Sequence, residues 1–124
     1  MAKKNINAGN ANIPDYKTLK EIIVVGAQKG QDKRQFVFLD KNKNECERSF
    51  NETWNEIAAL GTFFYVKGLN GKKKIAIIGE NCFEWMITYY ATLVGGNTTV
   101  PMDCKLPADD LADQLIRCCS DALV

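Results

Sequence analysis

The sequence contains no histidine among its 124 residues, and this absence removes several kinds of active site. Without an imidazole, neither a Ser/His/Asp triad nor a Cys/His dyad can form within the chain. Most zinc sites also use histidine, and a site of four thiolates would have to draw its ligands from scattered positions. We therefore expect no catalytic residue of these classes and no metal site.

The cysteines lack the pattern of a disulfide framework. Their number is odd, and no CxxC pair occurs among Cys46, Cys82, Cys104, Cys118 and Cys119. Such a set is typical of proteins that stay reduced. We therefore expect a cytoplasmic protein.

Long apolar runs and a charge excess are also missing. No run approaches the roughly 18 apolar residues that a membrane span needs, and the N-terminus has no apolar signal core. The 16 basic and 15 acidic residues give a net charge of +1, with no basic stripe interleaved with aromatic residues. We expect neither a membrane span nor a nucleic-acid partner.

The stretch Lys72–Asp103 predicts a strand, a helix and a second strand, around which the chain is organised. Residues 75–78 form a short apolar run typical of a buried parallel strand. Asn81 is predicted to cap the next helix, with Glu84 three residues later. A crossover of this length indicates a right-handed βαβ unit in an α/β fold.

The end of this unit carries its own signals. Gly95 and Gly96 are predicted to end the helix, and β-branched residues 98–100 to form the second strand. Pro101 follows, and proline cannot continue a central ladder.

The N-terminal part predicts a tail, a helix and a hairpin. Residues 1–13 have little to bury, and we expect a mobile tail. Pro14 and Asp15 are predicted to start a helix, with Asp15 as its cap. Residues 36–48 predict a β-hairpin with a polar turn at 41–44. The apolar face of this first helix is predicted to comprise Tyr16, Leu19, Ile22 and Ile23.

The next helix has the clearest start signal. Ser49 and Glu52 match the capping box, with serine as cap and glutamate at the third helical position. Gly61 is predicted to permit a close helix or sheet contact. The apolar stripe at spacings of three and four contains Phe50, Trp54, Ile57, Ala58, Gly61 and Phe64.

The C-terminal part predicts a helix and a strand. Pro107 is expected in the first turn of the helix, with Asp109 and Asp110 near its positive end. Residues 122–124 predict a third parallel strand that stops abruptly, so residues 14–124 are expected to be one domain truncated at its C-terminal end. The predicted buried face of this helix is Leu111, Leu115, Ile116 and Cys119.

The sequence does not match the known phosphate-binding motifs. Only Gly79 follows the first strand, so the G-x-G-x-x-G pattern is missing, and residues 68–73 have the wrong spacing for a phosphate loop and predict a turn. The lysine run 72–74 is interpreted as a solvated segment. The amides after Asn81 offer an anion site, although an ordinary helix cap is the favoured interpretation.

Four carboxylates have no recognisable catalytic partner: Glu84, Asp103, Asp109 and Asp110.

Several segments together resemble the N-terminal part of the AMP-forming acyl-CoA synthetase family, from about Pro14 to the last residue. They are SFNE at 49–52, KIAIIGENCFEW at 74–85, GGNTTVPMD at 95–103 and LPADDL at 106–111. The segment containing Asn81 and Trp85 is more similar to long-chain fatty acid CoA ligases than to peptide-synthetase adenylation domains. Asn97 and its neighbours are less apolar than in these relatives, which bears on the burial of the second strand.

The resemblance implies the N-terminal part of a large α/β domain, with a partial parallel sheet, flanking helices and a small N-terminal hairpin. Such enzymes use Mg-ATP to convert a carboxylic acid into an acyl-adenylate and pyrophosphate, and then transfer the acyl group to CoA. Their catalytic and nucleotide-binding residues lie further along the chain, so we carry over no catalytic, cofactor-binding or metal residue. We expect the chain to be inactive alone and to bind no cofactor.

The resemblance also implies a partner, namely the remainder of the full-length chain. Without that remainder, we expect self-association through exposed apolar surface. Two alternatives remain. One is a self-contained α/β nucleotide-binding or interaction module with its ligand at Gly79, Glu80 and Asn81. The other is an amino-acid-activating adenylation domain.

Overall fold

The computed structural model describes residues 14–124, and the predicted tail at 1–13 lies outside the described residues. Four helices and five strands follow one another in the chain, and the strands form two sheets. One sheet is an antiparallel hairpin and the other has three parallel strands in the order β4-β3-β5. The elements are α1 (Leu19–Gly30), β1 (Arg34–Leu39), β2 (Glu45–Ser49), α2 (Phe50–Val66), β3 (Lys74–Ile78), α3 (Phe83–Val94), β4 (Thr98–Met102), α4 (Ala108–Cys118) and β5 (Ala122–Leu123).

Helix α1 begins later than the sequence predicts. Thr18, not Asp15, is the N-cap, and its hydroxyl accepts a hydrogen bond from the Glu21 amide at 3.1 Å. The predicted apolar face is also partly wrong, because Leu19 and Ile22 are exposed while Ala27 and Gly30 are buried. Two polar residues within four positions can each cap a helix, and tertiary packing selects between them.

The predicted hairpin is confirmed. Its turn is held by the Asp40 carboxylate, which accepts hydrogen bonds from the amides of Asn42 and Asn44, both at 2.8 Å. The bonds from Asn44, followed by the bond from Asn42, hold the pKa of Asp40 below its ordinary value. On the inner side, the Phe38 ring stacks on Phe83 of α3 with ring centroids 4.7 Å apart. The hairpin is thereby packed against the helical layer.

The capping box at the start of α2 is confirmed. The Ser49 hydroxyl accepts from the Glu52 amide at 3.2 Å, and the Glu52 carboxylate accepts from the Ser49 amide at 2.8 Å. Ile57 and Phe64 from the predicted stripe are buried in the core. A β-carbon at Gly61 would lie 3.9 Å from the Ala91 carbonyl oxygen, which is an ordinary contact, so the packing there does not require glycine.

The βαβ unit β3-α3-β4 is confirmed, with parallel pairing from Lys74↔Thr98 to Ile78↔Met102. Strand β3 is central, and Ile75 and Ala76 are fully buried in it. Strand β4 lies at the edge, where its Pro101 is tolerated. The core on one face of the sheet is formed by Ile57, Phe64, Ile75, Phe83, Ile87 and Ala91.

The predicted end of α3 is also confirmed, and Asn97 has a structural role just beyond it. Helix α3 ends at the cap residue Gly95, and Gly96 has a φ of 73°. The Asn97 side chain is buried, accepts from the Lys73 amide at 3.2 Å and donates to the Leu69 carbonyl at 2.9 Å. Its polarity is therefore compatible with burial at the start of β4.

The third parallel strand, β5, is confirmed, but the predicted buried face of α4 is partly wrong. Ile116 is 75% exposed and Cys119 is exposed, whereas Leu111, Leu115 and Cys118 are half-buried. The spacing from Leu111 to Leu115 is four positions and from Leu115 to Cys118 three, which puts Ile116 off the packed stripe. Pro107 occupies the N-cap position rather than the first turn.

We predict that Gly30→Ala destabilises the fold. A β-carbon at Gly30 would overlap the ring of Phe50, so either the ring or α1 would have to move. The expected loss is about 1–3 kcal/mol, measured by urea unfolding. At the control position Gly26, a β-carbon would lie 3.9 Å from Phe50 Cε1, and Gly26→Ala should cause no loss. Equal stabilities for the two variants would contradict the prediction.

We also predict an acid-sensitive contact at the start of β5. The Asp121 carboxylate accepts from the Lys74 amide at 2.8 Å and from the Lys73 ammonium at 3.1 Å, and these bonds lower the pKa of Asp121. Because the folded-state pKa is the lower one, the contact stabilises the fold above the unfolded-state value near 3.8. That stability is lost as the pH falls through the folded-state value.

Asp121→Asn removes this titration, so the variant should lose less stability than the parent between about pH 5 and pH 2. Urea unfolding at a series of pH values measures the difference. Parallel pH profiles for the two proteins would show that Asp121 does not titrate in this way.

Candidate functional site

The connections of the parallel strands define a crevice at the carboxyl edge of the sheet. Helix α3 leads from β3 to β4 on one side, and α4 leads from β4 back past β3 to β5. The two crossovers run in opposite directions, so right-handed connections put α3 and α4 on opposite faces. The segments that follow β3 and β4 therefore separate, and in open α/β sheets a crevice of this kind is the usual ligand site.

The crevice has a volume of about 640 Å³. The segment after β3 contributes Gly79, Glu80 and Asn81, and Trp85 of α3 forms part of the wall. The opposite wall is formed by the end of β4 and the segment after it, and contains Pro101, Met102, Asp103, Cys104 and Lys105. The charged side chains of the whole crevice are thus one cation, Lys105, and two carboxylates, Glu80 and Asp103.

The wall after β4 is shaped by a local turn. The Asp103 carboxylate accepts from the Lys105 amide at 2.9 Å, and the Asp103 carbonyl accepts from the Leu106 amide at 3.2 Å. On the other wall, the Trp85 ring stacks on Tyr89 with centroids 5.5 Å apart. These contacts fix the backbone after β4 and the orientation of one aromatic side chain.

The predicted cap of α3 is wrong. Cys82 is the N-cap, the helix begins at Phe83, and neither Asn81 nor Glu84 caps it. Cys82 has extended backbone angles, φ −141° and ψ 176°, which moves the first helical residue beyond Asn81. No side chain accepts from the first amides of α3, while Asn81 is exposed and lines the crevice.

The other carboxylates considered from the sequence are dispersed. Asp103 lines the crevice, and Glu84 lines a wider depression of about 990 Å³ between the hairpin and the same edge of the sheet. Asp109 and Asp110 lie in the first turn of α4 and line neither space. Sequence patterns placed Glu80 in a candidate ligand site with Gly79 and Asn81 but missed Lys105, which the strand order brings opposite that segment.

The lysine run lies at the opposite, amino edge of the sheet. Lys73 forms an ion pair with Asp121 at 3.1 Å, and the Lys74 ammonium donates to the Cys118 carbonyl at 2.9 Å. These two side chains join β3 to the segment before β5 and are not solely solvated. Residues 68–71 form the predicted turn, with positive φ values at Gly68 and Gly71.

Neither a metal-ligand cluster nor a spanning helix is found in the described part of the chain. Within residues 14–124, no three His, Cys, Asp or Glu side chains come together in a way that could hold a metal ion. All five cysteines are free. Over the same residues, every helix is too short or too polar to cross a bilayer.

Comparison with known proteins shows related sequences and structures. Tyrocidine synthase 2 of Brevibacillus parabrevis is 28% identical over 114 residues, which cover 92% of this chain and 3% of that protein. The N-terminal subdomain of Klebsiella oxytoca NpsA, solved with 3-hydroxybenzoyl-AMSN, superposes with a TM-score of 0.80 at 19% identity, covering 93% of this chain and 28% of that one. The fatty acid AMP ligase from Legionella pneumophila superposes with a TM-score of 0.78 at 12% identity, covering 88% and 19%.

Each of these matches covers most of this chain but only a small part of the related protein. The chain spans only a small part of tyrocidine synthase 2 and about a quarter of the NpsA subdomain. The structural matches establish the same α/β fold, with its parallel three-stranded sheet and flanking helices. The sequence profile of the family described as AMP-binding enzyme matches residues 24–124, which is most of the chain, and the chain therefore belongs to this adenylate-forming family.

Proposed function

We propose that the chain is the N-terminal segment of an ATP-dependent carboxylate–CoA ligase. The complete enzyme converts an acid and Mg-ATP into acyl-AMP and pyrophosphate, then transfers the acyl group to CoA. The observation that carries the proposal is the family match over residues 24–124. The segment is inactive alone because it supplies only part of such an enzyme.

The chemistry of the crevice supports a structural contribution by this segment. A triphosphate needs several cations or aligned backbone amides. The crevice has one cation, Lys105, beside the carboxylates of Glu80 and Asp103, and its only glycine is Gly79. This donor set does not fit ATP, so the proposed role of the segment is to form one wall of a larger site.

A fatty acid is the proposed substrate class. Its support is the similarity of the segment with Asn81 and Trp85 to long-chain fatty acid CoA ligases. Both side chains line the crevice, where Trp85 supplies an apolar surface next to Pro101 and Met102. An aliphatic chain is compatible with such a wall.

An amino acid is the second candidate substrate. The observation that favours it is the 28% identity to tyrocidine synthase 2, whose name describes a peptide product. On this proposal the same segment belongs to an adenylation domain that loads a carrier protein instead of CoA.

A self-contained nucleotide-binding module is the third candidate. It is favoured by the exposed Asn81 beside Gly79 and by the first amides of α3, which donate to no side-chain cap. This module would act without any further part of an enzyme.

The substrate class is tested with two chimaeras. In one, residues 24–124 replace the matching segment of a fatty acyl-CoA ligase, and in the other they replace the matching segment of an amino-acid adenylation unit. We expect fatty-acid-dependent ATP–pyrophosphate exchange to stay within about tenfold of the parent ligase in the first chimaera, and amino-acid-dependent exchange to fall further in the second. The opposite ranking would support the amino-acid proposal.

The isolated chain is the control for the third candidate. Titrated with Mg-ATP or AMP in a calorimeter, it should release no saturable heat. Saturable heat that disappears in Asn81→Ala would contradict the ligase-segment proposal and support the self-contained module.

We further propose that the isolated chain associates with itself until the rest of the enzyme covers its apolar surface. Several large apolar side chains are exposed on β1, α4 and β5: Val37, Leu39, Ile116, Leu123 and Val124. Analytical ultracentrifugation should show mass increasing with concentration, and Leu123→Lys should reduce this increase more than the control Ala112→Lys on α4. A sharp monomer at all concentrations would contradict the proposal.

A further inference from the structure

An apolar groove lies on the helical side of the molecule, away from the carboxyl-edge crevice. It has a volume of about 430 Å³ and runs between α1, α2 and the end of α3. Its lining includes Leu69 from the loop before β3, and Val94 and Gly95 before β4. Since those segments precede parallel strands, the groove lies towards the amino edge of the sheet.

The wall of the groove is almost entirely apolar. Its main side chains are Val24, Trp54, Ile57, Tyr65, Leu69 and Val94. A volume of this size falls within the range of roughly 300–1,000 Å³ typical of small-molecule sites. Water in such a groove finds few polar partners, so an apolar ligand that displaces it gains binding free energy.

One charged residue distinguishes this groove from a plain apolar surface. Lys20 of α1 is the only charged residue in the lining, and no carboxylate lines the groove. Within residues 14–124, the Lys20 ammonium forms no ion pair. A lysine stem can line an apolar wall while its ammonium stays in water at the rim.

We propose that this groove binds an aliphatic carboxylate of medium length. The hydrocarbon chain lies along Trp54, Ala58 and Val94, and the carboxylate pairs with the Lys20 ammonium at the rim. The arrangement fits an amphipathic anion better than a neutral apolar molecule, because a neutral molecule leaves the only cation unused. The site is separate from the carboxyl-edge crevice and does not depend on the proposed ligase activity.

The chain offers a direct probe of the groove. Trp54 lines it, and the only other tryptophan is Trp85 in the carboxyl-edge crevice. In Trp85→Phe, Trp54 is the only tryptophan left. Because Trp54 also lines a neighbouring cavity of about 200 Å³ beside Phe50, the filling variants Ala58→Leu and Gly61→Leu, which lie in this groove and not in that cavity, assign the signal to the groove. Octanoate, hexanoate and octanol, each used below its aggregation concentration, separate the contribution of the charge from that of the chain.

We expect octanoate to change Trp54 fluorescence saturably and to bind about two- to fourfold more tightly than hexanoate for each added methylene. Lys20→Met should weaken octanoate about two- to fivefold and leave octanol unchanged. The control Lys29→Met removes the same charge from the same helix outside the groove and should leave octanoate binding unchanged.

Ala58→Leu places extra volume in the groove and should abolish the response to both ligands, with helix content checked by circular dichroism. Gly61→Leu is the second filling variant and should act in the same way. The proposal is overturned if octanoate gives no saturable change, if neither folded filling variant reduces binding, or if Lys20→Met and Lys29→Met have equal effects.

Discussion

Two side chains hold the amino end of the central strand β3, and the parallel sheet depends on them. Asn97, just before β4, accepts from the Lys73 amide, and Asp121, just before β5, accepts from the Lys74 amide. The residue before each neighbouring strand is therefore held by a hydrogen bond to the backbone at the start of β3. The parallel pairing at Lys74↔Thr98 and Ile75↔Ala122 begins at these contacts.

The register set at the amino end determines what meets at the carboxyl end. Ile78 lies opposite Met102, so the segments that begin at Gly79 and Asp103 leave the sheet side by side. The opposite directions of the two crossovers then separate these segments and open the crevice. A slip of one residue would move one wall along the strand and exchange the faces of its side chains.

The two faces of the sheet are unequally covered. Helices α1, α2 and α3 contact one another on one face and enclose the core around Ile57 and Ile75. Helix α4 has no buried residue, and its Ile116 is exposed. The helices on the packed face bury their apolar side chains, whereas the α4 side and β5 leave apolar atoms in water.

Sequence patterns predicted the features whose causes are local. The capping box of Ser49 and Glu52, the hairpin turn at 41–44 and the apolar run of β3 each depend on residues close in the chain, and all three are present. The start of α1 and the cap of α3 were wrong because neighbouring residues compete for a cap and packing decides between them.

The candidate site depended on information that no single stretch of sequence contains. Lys105 comes to lie opposite Glu80 and Trp85 only through the order β4-β3-β5 and the pairing of Ile78 with Met102. The unequal burial of α4 likewise follows from what packs on each face of the sheet. Periodicity identified the helix, but the position of its packed stripe required the tertiary structure.

Pro101 makes the two edges of the parallel sheet unequal as partners for a further strand. The Thr98 amide donates to the Lys73 carbonyl, and in a parallel ladder alternate residues face the same neighbour, so the backbone nitrogens of 99 and 101 point away from β3. Proline at 101 has no hydrogen to donate there, so a strand arriving beside β4 would miss a ladder bond. A strand beside β5 would meet no such gap, so an uninterrupted ladder can form only at the β5 edge.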